Sequence, residues 1–113
     1  MNPSDLQEQI LAYAQMLDEA LAFLRGQTVK YADSDNAYRL AHARAYLASD
    51  GPVNERKATA DLATDKERHA AHLAEGMRQA ALEAVRSRRA QLSALQTLAN
   101  SYRAEAEFVR TAP

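Results

Sequence analysis

The sequence predicts an all-α fold: a long antiparallel helical hairpin with coiled-coil-like packing, completed by oligomerisation into a helical bundle. Three observations carry this expectation. Alanine occurs 25 times and leucine 13 times in 113 residues, against four valines and one isoleucine, and sheets favour the β-branched and aromatic residues that are scarce here. Glycine and proline occur three times each, so few positions can interrupt a helix. Apolar residues also recur at steps of three and four through both halves of the chain, the period of a helix with one buried face. The length suits a single helical domain spanning 1–113.

The first arm is read as residues 3–49. Pro3 stands at its start, and Ser4 with Gln7 has capping-box spacing. Ile10, Leu17, Leu24, Tyr31, Tyr38 and Ala45 lie seven apart, and Leu6, Tyr13, Ala20, Gln27, Ser34, Ala41 and Ala48 form the companion series. These are the a and d positions of a coiled-coil seam, polar at Gln27 and Ser34. The register runs straight through Gly26, which favours one continuous helix even though glycine costs about 1 kcal/mol relative to alanine in a helix interior. The rival is a break between Gly26 and Asp35, with Asp33, Ser34 or Asp35 capping a new helix, which would give a three-helix bundle.

The turn is residues 50–52. In Ser49-Asp50-Gly51-Pro52, Gly51 suits the left-handed conformation that ends a helix and Pro52 suits the first turn of the next. Arg56 and Lys57, beside Glu55, look like solvated charge at a helix start.

The second arm is read as one helix over 52–111. Its stripe runs Ala70, Leu73, Met77, Ala81, Val85, Arg88, Leu92, Leu95, Ala99, Tyr102, Ala106, Val109, spacing that buries one face. Residues 1–24 sum to −4 and residues 77–100 to +3, so an antiparallel pairing apposes opposite charges. The expected alignment sets Ala12 beside Arg89. Two helices of this length bury little by themselves. Large residues also lie off the stripe at Leu82, Leu98 and Phe108. Self-association, with a homodimer favoured, is therefore expected through a seam of Ile10, Leu17, Leu24, Tyr31, Tyr38, Leu73, Met77, Val85, Leu92, Leu95 and Tyr102.

Composition narrows the function. The chain has no cysteine, which excludes a disulfide, a thiolate zinc site and a cysteine nucleophile. No apolar run approaches the roughly 18–20 residues of a membrane span, and no basic segment with an apolar core opens the chain, so neither membrane insertion nor a secretory leader is expected. A net charge of −1 and 47% apolar residues oppose a disordered chain and give no global pull toward nucleic acid. Arginine outnumbers lysine 11 to 3, a bias common to high-GC genomes.

Candidate sites are few. His69 and His72, spaced by three, share a helix face with Asp65 and Glu75, and the hairpin brings Asp33 and Asp35 near. Carboxylate and imidazole from two helices can build a metal site in a bundle. The paired Glu-x-x-His motif is missing, however, so no metal and no cofactor is expected. Arg78, Arg86, Arg88 and Arg89 form a candidate phosphate-binding footprint, with Tyr102 able to stack on a base. The acidic first arm is expected to answer that charge, which disfavours nucleic acid as the main partner. Tyr13, Tyr31, Tyr38 and Tyr46 could form a stacking platform, but three of them fall on the seam and core packing is favoured. No serine or threonine has an evident base and orienter, and no glycine-rich phosphate loop exists, so no catalytic residue and no enzyme activity is expected.

Tyr38-Arg39-Leu40-Ala41-His42-Ala43-Arg44-Ala45, then Gly51-Pro52-Val53-Asn54-Glu55-Arg56-Lys57-Ala58, then Leu95-Gln96-Thr97-Leu98 and Arg103-Ala104-Glu105 resemble a group of small helical proteins of tailed phages and prophages, often of high-GC actinobacteria. The resemblance covers about the last three quarters of the chain. It implies a helical accessory of phage DNA replication or recombination in the cytoplasm of a bacterial host, and it carries no catalytic residues. The expected function is a non-enzymatic scaffold or adaptor for a protein partner. Direct nucleic-acid binding through the arginines, or inhibition of a host factor, are the alternatives.

Overall fold

A computed structural model describes residues 2–112. The chain is an all-α helical hairpin of three helices, α1 (Pro3–Ala48), α2 (Val53–Ala63) and α3 (Asp65–Thr111).

Helix α1 starts two residues earlier than the capping-box spacing suggests. Asn2 Oδ1 accepts the Asp5 N–H at 2.9 Å and the Asn2 carbonyl accepts the Leu6 N–H at 3.1 Å. Asn2 is thus the N-cap, Pro3 takes the first helical position where a missing N–H costs nothing, and Ser4 lies inside the helix. The helix then runs unbroken through Gly26 and Asp35, so the rival break does not occur. Its least exposed residues, from Leu6, Ile10 and Tyr13 to Tyr38, Ala41 and Ala45, follow both series of the seven-residue repeat.

The connection is tight. Ser49 donates from its N–H to the Tyr46 carbonyl at 3.2 Å and from its hydroxyl to the Ala45 carbonyl at 2.7 Å. Gly51 has φ 102°, a conformation that costs other residues a Cβ clash. Pro52 caps α2 with its carbonyl, which accepts the Arg56 N–H at 3.0 Å. Arg56 is not the solvated charge its sequence context suggests. It is half-buried, donates to the Tyr46 carbonyl at 3.1 Å and lies 4.5 Å over the Tyr46 ring. A cation there gives the Tyr46 carbonyl, already bonded by the Ser49 N–H, a second donor in the last turn of α1 and matches the helix dipole.

The second arm is two helices, not one. Thr64 adopts φ −115°, ψ 18° between α2 and α3, and it is 2% exposed. Its N–H and its hydroxyl both donate to the Ala60 carbonyl, at 3.1 and 2.7 Å. A threonine that bonds back in this way bends a helix without unwinding it. The turn is otherwise conserved, since the Thr64 carbonyl still accepts the Arg68 N–H at 3.0 Å.

The buried stripe of the second arm also differs from the expected one. The least exposed positions are Ala60, Thr64, Glu67, Ala71, Ala74, Arg78, Ala81, Val85, Arg88, Leu92, Leu95, Ala99 and Tyr102. These alternate steps of four and three without a slip. The expected stripe agrees from Ala81 to Tyr102 and fails on both sides. Leu73 is 61% and Met77 45% exposed, and Ala70, Ala106 and Val109 are exposed as well. Three successive steps of four, Leu73 to Met77 to Ala81 to Val85, carried that reading across from a neighbouring face.

The chain divides into two compact units. In one, residues up to Phe23 pack antiparallel with those from Leu82 onward, around Leu6 and Val85, the largest fully buried side chains. Gln9 and Tyr13 share a groove there with Gln91, Ala94, Leu95 and Leu98, so α3 sits about one helical turn along from the expected Ala12–Arg89 alignment. In the other, Leu24–Ala81, the buried residues are Gln27, Ala60, Thr64, Ala71 and Ala81. Tyr31 and Tyr38 of α1 are half-buried in the same unit.

Candidate interaction surface

In the unit formed by residues 24–81 the two flanks of the helix pair differ in chemistry. One flank is charged. His42 Nε2 and Asp61 Oδ1 are 2.8 Å apart, joining α1 to α2. Asp61, Arg68 and Glu75 recur every seven residues and so share that flank. The His42 ring also meets Tyr38 edge-on, at 5.9 Å between centroids. Neither residue of the His42–Asp61 strut stood out in the sequence, because the signal is only their symmetric placement about the turn.

The candidate arginines are mostly committed. Arg78 is half-buried on the seam, makes two hydrogen bonds to Glu75 at 2.8 and 3.0 Å, and lies 5.6 Å over the Tyr31 ring. The hydrogen bond and then the charge of Glu75 hold the Arg78 guanidinium above its ordinary pKa, and the Arg78 hydrogen bond holds the Glu75 carboxyl below its own. Arg88 is also half-buried and donates to Gln91 at 3.1 Å. Arg86 pairs with Glu83 at 2.6 Å on the surface. Arg89 is exposed with no ion-pair partner among the described residues. Of the four, Arg78 and Arg88 are withdrawn from a phosphate footprint and Arg86 and Arg89 face solvent.

Charge pairing between the arms takes another form than the one expected. Among the described residues, four ion pairs join residues three or four apart in one helix, and the His42–Asp61 contact is the one of this kind that crosses between helices. Such local pairs form on any exposed helix surface.

His69 and His72 are exposed, and three of the carboxylates expected around them, Asp65, Asp35 and Glu75, are engaged elsewhere. Arg68 holds Asp65, Arg39 takes Asp35 at 2.8 Å, and Arg78 takes Glu75. No group of three metal-ligating side chains forms among the described residues. The tyrosines do not make a free platform either. Arg78 covers Tyr31, His42 abuts Tyr38 and Arg56 covers Tyr46.

On the other flank the second arm is apolar, with Ala63, Ala70 and Met77 at the same seven-residue interval and Leu73 beside them, while Gln27, Lys30, Asp33 and Ser34 stand on the α1 side. An open groove runs there between α1 and α3. Large apolar side chains are exposed elsewhere too, including Leu11, Phe23, Leu62 and Phe108. No helix among the described residues is long and apolar enough to cross a membrane. Comparison with known protein families, characterised proteins and solved structures finds no match.

Proposed function

We propose that the protein is a non-enzymatic helical scaffold or adaptor that self-associates, with a homodimer as its basic form, and presents rigid helix surfaces to a protein partner. The observation that carries this reading is the exposure of large apolar side chains on helices, Leu73, Leu62, Phe23 and Phe108 among them. Large apolar side chains left on helix surfaces are available for burial against another macromolecule. The polar features are consistent with this role. The pair with acid–base character, His42–Asp61, links two helices on an open flank. The resemblance to small phage and prophage proteins supplies the setting, an accessory role in DNA recombination or replication inside a bacterial host.

Light scattering over a range of concentrations tests the reading. The mass is expected to reach twice 12.5 kDa, and a mass of one chain at every concentration would overturn it. Direct nucleic-acid binding is the second reading, favoured by the exposed, unpaired Arg89 with Arg86 three residues before it. It predicts a DNA affinity that falls steeply with salt and is lost in Arg86→Ala/Arg89→Ala. No detectable affinity at low salt would remove it.

A further inference from the structure

The unit of residues 24–81 is the one whose buried side chains are all small or polar. It also carries an open groove whose α3 side is apolar. Lys30 and Asp33 stand on the α1 rim, and Ala70, Leu73, Ala74 and Met77 line the α3 side. Leu73 is 61% and Met77 45% exposed. Lys30 and Asp33 are exposed and form no ion pair among the described residues.

We propose that this groove is a two-fold dimer contact, occupied by the same groove of a second copy of the chain. The proposal rests on the self-association argued above and names its surface. The unpaired charges select the occupant. In a two-fold contact residue i meets residue j while j meets i. An axis between Lys30 and Asp33 therefore sets Lys30 on the partner's Asp33 and Asp33 on the partner's Lys30. The same axis crosses α3 near Leu73, so Leu73 meets the partner's Leu73 and Met77 comes over the partner's Ala70, large against small. A purely apolar partner would leave both charges unmatched, and a partner of one sign would match one and repel the other.

The face is small. The stretch the axis covers, residues 24–39 and 66–81, is about 24 Å long and about 20 Å wide. That gives about 500 Å² per partner, close to the lower limit of about 1,000 Å² in total for a specific interface. The dimer is accordingly reversible, with a Kd in about the micromolar range.

Sedimentation velocity on the full chain tests the contact, with Lys30→Asp, Asp33→Lys, their equimolar mixture and Leu73→Glu. Each variant alone is expected to dimerise about tenfold or more weakly than the natural chain, because like charges meet twice or a charge enters the groove. Mixing Lys30→Asp with Asp33→Lys restores a heterodimer, since one chain then carries two carboxylates and the other two ammonium groups. These positions are exposed, and circular dichroism checks that each variant keeps its helices. Recovery on mixing could not come from misfolded chains. If the natural chain dimerises and the variants match it, the groove is not the contact and self-association stands on another face. A natural chain that stays monomeric overturns both.

Discussion

Gly51 is the one residue whose backbone excludes a side chain. With φ at 102°, a Cβ would stand 3.0 Å from Glu55 Oε2. Gly51→Ala is expected to cost about 1–2 kcal/mol, read as a lower urea midpoint at unchanged slope, and an unchanged midpoint would refute the strain. The Glu55 carboxylate can swing away, so Gly51→Ala/Glu55→Ala should recover only the steric part. Arg56 closes the same turn from the other side. Arg56→Lys keeps a charge near the Tyr46 carbonyl but loses the planar stacking on its ring, so it should fall between the natural chain and Arg56→Ala in stability. Acid acts on different residues. Hydrogen bonds from Arg68 and Arg78 hold the Asp65 and Glu75 carboxyls below the ordinary carboxylate range. A depressed folded pKa contributes stability that is complete above the unfolded value and is lost as pH falls through the folded one. The melting temperature should therefore decline below about pH 4, and Glu75→Gln should decline less over that window. Equal acid sensitivity in the two proteins would remove Glu75 from the account.

At the scale of elements, α1 was legible because its repeat is strict and its seam residues are large. Ile10, Leu17, Leu24, Tyr31 and Tyr38 announce a face, and each proves half-buried. The second arm hid its seam because Ala71, Ala74, Arg78 and Glu67 sit where the chain packs, while Leu73 and Met77 sit beside it. Hydrophobicity alone therefore pointed to the wrong face. The bend at Thr64 was invisible for a related reason: it costs one residue of helix, and neither glycine nor proline marks it. The glycines within helices give a direct test of continuity. A Cβ at Gly26 or Gly76 would meet nothing within 4 Å. Gly26→Ala and Gly76→Ala should each stabilise the protein by up to about 1 kcal/mol. A loss of stability at position 26 would mean that the helix flexes there in solution.

The whole molecule hides few large side chains. Leu6 and Val85 are the largest that are fully buried, both in the unit that joins the two ends of the chain. On α2 and α3, alanine and polar side chains fill most of the remaining seam. Paired helices lined by alanine remove little apolar area from water, while backbone ordering costs about 1–2 kcal/mol per residue. In the dimer proposed above, burial against a second copy would then contribute a larger share of the stability than in a globular domain of this length. Folding coupled to dimerisation makes the thermal midpoint depend on concentration. For a two-chain assembly of this size, each tenfold rise in concentration should raise it by about 3–5 °C. Leu73→Glu should flatten that dependence and lower the midpoint toward that of the isolated chain. Calorimetry at three concentrations measures the slope, and a midpoint indifferent to dilution would show that the hairpin holds its fold without a partner.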